Sequence, residues 1–230
     1  MLIVALDVFT LYEMKAIVDS TRSEVNTYKV GLQLLTAEGP QAIRYLKGLG
    51  KTVFLDLKLH EISNSVSSAI KAAGKHGVDM VTVHASGGQK MMETAVEAAS
   101  EFPNMKILAL TVVTGLNDQD LLDIGFNRPS QVQVVRLAQL AERSGCHGVI
   151  ASPQETEVLR SLLSKNMLII TPGIRPKSGE IQDQHRVGTP AHAINSGASY
   201  IIVGRPIVQA QNPEQSAREI NEQIHQAANA

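Results

Sequence analysis

The densest chemistry in this 230-residue sequence lies in Phe54-Leu55-Asp56-Leu57-Lys58-Leu59. In a β-strand, successive side chains alternate faces. Leu55, Leu57 and Leu59 then pack on one side, while Asp56 and Lys58 share the other, about 6–7 Å apart along the strand. A lysine directed into an interior is costly unless it is paired, so the two form either a structural ion pair or part of a reactive site. The neighbouring runs favour the second reading. Tyr28-Lys29-Val30-Gly31 also carries an apolar run into a cation, and Asp7 closes Leu2–Leu6 with a carboxylate. Two acids and two lysines at matching strand ends make an alternating charge array, and such arrays perturb proton affinities and mark functional sites.

A second constellation suits an anion. Thr171-Pro172-Gly173-Ile174-Arg175-Pro176 and Val203-Gly204-Arg205-Pro206-Ile207 each end an apolar run with glycine and arginine. Glycine lets backbone N–H groups approach an anion, a helix N-terminus adds a favourable dipole, and an arginine fork matches phosphate oxygens. Either segment alone also reads as an ordinary turn; together they point to phosphate. His84, Thr111 or Thr114, and Ser152 lie at other run ends. A single histidine there is as often a satisfied structural group as a catalyst. No His, Asp or Glu pair repeats at ligand spacing, so a metal site is not expected. Cys146 reads as packing.

These residues need a scaffold that brings them to one edge. Eight short apolar runs recur: Leu2–Leu6, Tyr28–Leu32, Val53–Leu59, Met80–His84, Ile107–Val113, Gly148–Ser152, Leu168–Thr171 and Tyr200–Val203. Their length and β-branched content predict buried parallel strands. Segments of helical period lie between them, with stripes at Leu11, Met14, Ile17 and Val18, at Ala42, Ile43, Leu46 and Leu49, and at Val132, Val135, Leu137, Leu140 and Ala141. Pro129 and Gly145 punctuate the last of these, and Ser152-Pro153 reads as the cap of another helix. Eight strand–helix repeats in one domain spanning residues 1–230 predict a (β/α)8 barrel, whose active sites lie at the strand C-termini. An open doubly wound sheet is disfavoured, because Asp7-Val8-Phe9-Thr10 stands where a Gly-x-Gly-x-x-Gly turn belongs. The longest non-periodic stretch, Gly173–Thr189, is expected to be a functional loop.

Composition narrows the function classes. Lys plus Arg is 21 and Asp plus Glu 22, a net charge of -1, which gives no general attraction to nucleic acid or an anionic membrane. Aromatic residues are 3% with no Trp, which disfavours stacking on single-stranded nucleic acid. No apolar run reaches the roughly 18–20 residues of a membrane span. The segment Met1–Asp7 reads as a strand and not a signal peptide. One cysteine suits the reducing cytoplasm.

The chain resembles the orotidine 5'-phosphate decarboxylase family over nearly its whole length. Phe54-Leu55-Asp56-Leu57-Lys58-Leu59-His60-Glu61-Ile62-Ser63-Asn64-Ser65 is similar to the family's Asp-x-Lys-x-x-Asp segment, usually continued as Ile-Pro-Asn-Thr. Tyr28-Lys29-Val30-Gly31, Val83-His84-Ala85, Thr111-Val112-Val113-Thr114, Thr171-Pro172-Gly173-Ile174-Arg175-Pro176, Asp183-Gln184-His185-Arg186 and Val203-Gly204-Arg205-Pro206 follow in the family's order. The departures are Glu61 for the last aspartate, Ser63 for proline, Ser65 for threonine, and Gly115 where serine often follows Thr114.

The resemblance implies decarboxylation of orotidine 5'-phosphate to UMP without metal or cofactor, in a homodimer with shared active sites. It implies a tetrad of Lys29, Asp56, Lys58 and Glu61, with Lys58 the proton donor and Glu61 reaching the partner's site. It also implies substrate contacts from Asp7, Lys29, Ser65, Thr114, Pro172, Arg175, Gln184, Gly204 and Arg205, with the Gly173–Thr189 loop closing over the phosphate. The alternatives are a magnesium-dependent phosphosugar decarboxylase or synthase sharing Asp56-x-Lys58, a nucleotide-binding barrel with a decayed site, and an aldolase using Lys58 as a Schiff base.

Overall fold

Eight parallel strands close on themselves in sequence order, each hydrogen-bonded to the next and β8 to β1. The computed structural model describes residues 1–175 and 188–229. The strands are β1 (Leu2–Ala5), β2 (Thr27–Gly31), β3 (Thr52–Leu59), β4 (Met80–His84), β5 (Lys106–Leu110), β6 (Gly148–Ile150), β7 (Leu168–Thr171) and β8 (Tyr200–Val203). Helices follow each strand and cover the outside, so this is the expected (β/α)8 barrel.

The strands are apolar on both faces because both are covered. Ile3, Ala5, Phe54, Met80, Leu108, Leu110, Ile150, Ile170 and Ile202 fill the barrel interior as one buried cluster. Alternate residues such as Val4, Val30, Leu55, Val81 and Ile169 belong to a second cluster shared with the helices. The first helix, Leu11–Thr21, opens on a capping box: the Thr10 hydroxyl accepts from the Glu13 N–H, and the Glu13 carboxylate accepts from the Thr10 N–H. It buries Met14, Ile17 and Val18, with Leu11 partly covered at its start.

Several sequence expectations shift in detail. Leu32 begins a helix, Leu32–Glu38, instead of ending β2. β5 stops at Leu110, where the expected run went on to Val113, and β6 stops at Ile150 instead of Ser152. Leu49 is the cap of helix Gln41–Gly48 and lies exposed. Helix Ser130–Arg143 keeps Leu137 and Ala141 of the expected stripe buried and adds Val134 and Ala138, at i, i+3, i+4 and i+7; Val135 and Leu140 are partly buried, while Val132 is 43% exposed. Ser152-Pro153 does not cap the next helix, which starts at Thr156. Ser152 instead binds the buried Glu155 carboxylate through both its N–H and its hydroxyl, closing a turn ahead of the helix.

Candidate active site

The C-terminal ends of β1, β2 and β3 bring the four charges together. Lys29 lies in β2, 8% exposed, and its ammonium is 3.0 Å from Asp7 Oδ1 and 3.6 Å from Asp56 Oδ2. Lys58 Nζ donates to Asp56 Oδ1 at 2.8 Å. The order in space is therefore Asp7, Lys29, Asp56, Lys58, each charge beside its opposite. Asp56 is buried and Asp7 is half-exposed at the open end. Burial alone pushes the Asp56 carboxyl up. The cations of Lys29 and Lys58 and the hydrogen bonds from Lys58 and Thr82 outweigh that, and hold it below the ordinary carboxylate value.

Simple alternation puts Lys58 on the right face but does not describe its backbone. The β3–β4 register shifts between Leu55 and Leu59, and Lys58 alone among the described non-glycine residues has positive φ, at 52°. Its backbone N–H, lost to the regular ladder at this bulge, donates to the Thr82 hydroxyl at 2.8 Å, and that hydroxyl donates to Asp56 Oδ1 at 2.9 Å. Thr82 lies in mid-β4 and is fully buried. Sequence reading passed over it. The signal was a hydroxyl on the face that Met80 and His84 share, in a strand otherwise built to face apolar neighbours.

Across the mouth stand the two arginine loops. Gly173 has φ 78°, a conformation only glycine adopts without strain. It turns the chain so that Ile174 bridges to Gly188, with Gly188 N–H donating to the Gly173 carbonyl and Arg175 N–H to the Gly188 carbonyl. Both ends of the expected phosphate loop are thus tied together. A side chain at Gly188 would start 2.6 Å from Pro153 Cβ, so glycine is required there by contact. Arg175 is buried and donates to the Ile174 carbonyl at 2.9 Å. Arg205 opens Arg205–Val208, a single helical turn, so the dipole expected behind it is that of one turn.

Asp7, Lys29, Asp56, Lys58, Thr114, Pro172, Arg175, Gly204 and Arg205 line one pocket of about 210 Å³, partly open to solvent, over an apolar floor that includes Phe54, Leu110 and Ile150. One wall thus carries the charge array and the opposite rim carries the arginines. Glu61 and Ser65 do not line it. Both are exposed, and the Glu61 carboxylate accepts from the Ile62 N–H at 2.6 Å. Among the described residues no ion pair joins Glu61 to Lys58. Gln184 lies outside the described residues, as does the 176–187 part of the Gly173–Thr189 loop.

The remaining candidates have structural surroundings. Thr111 donates to the Ile150 carbonyl at 2.9 Å. His84 stacks on His60 with ring centroids 5.3 Å apart, and its Nδ1 lies 2.6 Å from the Ser86 hydroxyl. Burial, then His60 and Lys58, lowers its proton affinity. Cys146 is buried and its thiol is pushed up to about 12, which suits packing. Among the described residues no group of three His, Cys, Asp or Glu side chains is placed to hold a metal ion, and no helix is long and apolar enough to cross a membrane.

A closed barrel with its ionisable side chains gathered at the strand C-termini has the architecture of the (β/α)8 enzymes. Sequence and structure comparisons narrow this further. Residues 1–220 match the model of the orotidine 5'-phosphate decarboxylase / HUMPS family. Orotidine 5'-phosphate decarboxylase of Actinobacillus pleuropneumoniae serotype 5b (strain L20) is 44% identical over 225 residues, 97% of this chain and 98% of that one. The enzyme of the same name from Geobacter sp. (strain M21) is 41% identical over 228 residues, covering 97% of this chain and 95% of its own. Among solved structures, the orotidine 5'-phosphate decarboxylases of Lactobacillus acidophilus and Pyrococcus horikoshii OT3 superpose with TM-scores of 0.85 and 0.81, at 34% and 28% identity. Each covers 97–98% of this chain and 98–99% of its own. The chain belongs to the orotidine 5'-phosphate decarboxylase / HUMPS family.

Proposed function

We propose that this protein converts orotidine 5'-phosphate to UMP in pyrimidine synthesis, with its single barrel carrying the reaction in the cytoplasm. The observation that carries the reading is the Asp7–Lys29–Asp56–Lys58 array facing Arg175 and Arg205 across one pocket. Arg175, Gln184, Gly204 and Arg205 hold the phosphate, with Pro172 in the pocket wall beside the arginines. Asp7 and Lys29 take the ribose hydroxyls. Ser65 and Thr114 complete the substrate contacts.

The chemistry needs no cofactor. The C6–carboxylate bond breaks, carbon dioxide leaves, and the electron pair stays on C6. The Lys58 ammonium stabilises that pair and then gives C6 a proton, which solvent restores. Asp56 lies near the departing carboxylate; two carboxylates about 4 Å apart at an effective dielectric near 20 repel by roughly 4 kcal/mol, a term that vanishes with the carbon dioxide. We assign the larger share to Lys58, because it acts on charge that develops in the transition state. Phosphate contacts remote from C6 favour the closed, ordered site.

Glu61 belongs in this reading to the neighbouring subunit's site. It is exposed on its own chain beside Ile62, which is 70% exposed. Phe9, Leu32 and Val113, at the ends of other strands, are exposed too. An apolar rim around a charged mouth suits a homodimer whose subunits complete each other's sites.

A spectrophotometric assay with orotidine 5'-phosphate, with and without EDTA, tests the proposal. Turnover that survives EDTA is expected, since the Lys29 ammonium stands between Asp7 and Asp56 and would repel a metal ion there. EDTA-sensitive turnover favours the phosphosugar class, and UMP binding without turnover favours a decayed barrel.

A further inference from the structure

We propose that Thr82 is a positioning residue for this reaction, its one hydroxyl setting Lys58 and Asp56 in mutual register across the β3 bulge. The inference deepens the decarboxylase reading and rests on it. A hydroxyl offers one proton and two lone pairs. The Lys58 backbone N–H can only donate, so Thr82 Oγ1 accepts there, at 2.8 Å, and its own proton is committed to Asp56 Oδ1, at 2.9 Å. The hydroxyl itself is sheltered from solvent, since Thr82 is fully buried.

Two geometric facts give that bridge a role beyond local packing. First, Lys58 holds a positive φ of 52° in a residue with a side chain, a conformation that persists only where the surroundings enforce it. The register shift removes the ladder bonds that would ordinarily do so, and the Thr82 acceptor replaces them. Second, Asp56 Oδ1 receives both the Thr82 proton and the Lys58 ammonium, while Oδ2 faces Lys29. The hydroxyl therefore selects which carboxylate oxygen each lysine meets, and holds the carboxylate plane against rotation. Thr82 touches no reacting atom; it acts through the backbone that aims Lys58 and through the carboxylate that faces the departing group.

The test compares Thr82→Val, which removes the hydroxyl at nearly constant shape, with Thr82→Ser, which keeps it. In Thr82→Val, kcat for orotidine 5'-phosphate is expected to fall roughly ten- to hundredfold, the kinetic equivalent of one hydrogen bond to a charged group. UMP affinity by titration calorimetry should stay within about threefold, at one site per chain, and Thr82→Ser should restore kcat to within about threefold of the wild type. If the valine variant does not fold, Thr82→Ala takes its place with the same readouts. An unchanged kcat in a folded variant lacking the hydroxyl overturns the proposal. So do equal losses in the serine and valine variants, a loss confined to UMP affinity, or failure of both valine and alanine variants to fold while serine folds, which assigns the hydroxyl to stability. Inactive wild-type protein refutes the decarboxylase reading itself and is seen before any variant is measured.

Discussion

Replacing Lys58 separates its charge from its backbone. Lys58 Nζ lies 2.8 Å from Asp56 Oδ1. At an effective dielectric near 20 that pair is worth roughly 6 kcal/mol of gross attraction. The net figure is smaller. The Lys58 side chain is 37% exposed and so partly screened, and Asp56 keeps Lys29 at 3.6 Å and the Thr82 hydroxyl at 2.9 Å. Lys58→Ala is therefore expected to cost about 1–3 kcal/mol of stability. Lys58→Gly removes the same charge and also relieves the positive φ. An L-residue in that region costs about 1–2 kcal/mol, while glycine's extra chain entropy returns about 0.5–1 kcal/mol. The glycine variant should thus be the more stable of the two by about 0.5–1 kcal/mol, read as a higher urea midpoint at unchanged slope. Both should lose at least about 10⁴-fold in kcat, combining a lost proton donor with a lost cation at the developing carbanion. A glycine variant less stable than the alanine variant would refute the backbone argument. Turnover within about tenfold of wild type, in folded protein that binds UMP, would remove Lys58 from the chemistry.

Arg205→Ala should weaken UMP binding by about 1.5–3 kcal/mol and slow turnover; calorimetry that finds unchanged affinity counts against the phosphate assignment. Glu61→Asp should keep or raise activity, and Glu61→Ala should reduce it strongly. Mixing Glu61→Ala with Lys58→Ala subunits should recover part of the activity, because one site of the mixed dimer regains both groups; no recovery after verified subunit exchange sinks the shared site. The folded Asp56 carboxyl lies below its ordinary value, so its stabilisation is present above the unfolded value near 3.8 and is lost as pH falls through the lower folded value. The stability gap between wild type and Asp56→Asn should accordingly narrow below about pH 4, and a gap independent of pH would contradict the argument.

Strand positions were legible because a buried parallel strand must be short, apolar and β-branched, and each run found its strand within a few residues. Ends were less legible. Thr111, Val112 and Val113 favour extended backbone as strongly as Ile107, yet the ladder to β6 ends at Leu110 opposite Ile150, with Thr111 still donating to the Ile150 carbonyl. Val132 misled because valine reads as core wherever it falls, whereas Ala138, small enough to pass unnoticed beside the expected stripe, is buried. The charged residues that line the pocket, on or just beyond β1, β2, β3, β7 and β8, were legible as charges at the ends of apolar runs. Thr82 was not, since a threonine in a strand carries no charge to mark it in the sequence alone. Nor did the Asp56-x-Lys58 spacing disclose the bulge: alternation gave the right face for Lys58 without the positive φ that takes it there.

The two walls of the pocket come from opposite ends of the chain. Asp7, Lys29, Asp56 and Lys58 are all present within the first 58 of 230 residues, and Arg205 arrives near the end. They meet only across the seam where β1 pairs with β8, Val4 opposite Val203. Synthesis from the N-terminus produces the charged wall long before the seam exists. Until β8 docks the barrel is open, so the dehydration of Lys29 and Asp56 is expected to be completed in the same event that buries Ile201 and Val203 beside β1. On that reasoning the last strand to be made helps to drive the desolvation of the charges carried by the first three. A chain cut short before Tyr200 should lose site and stability together, without passing through a partial enzyme.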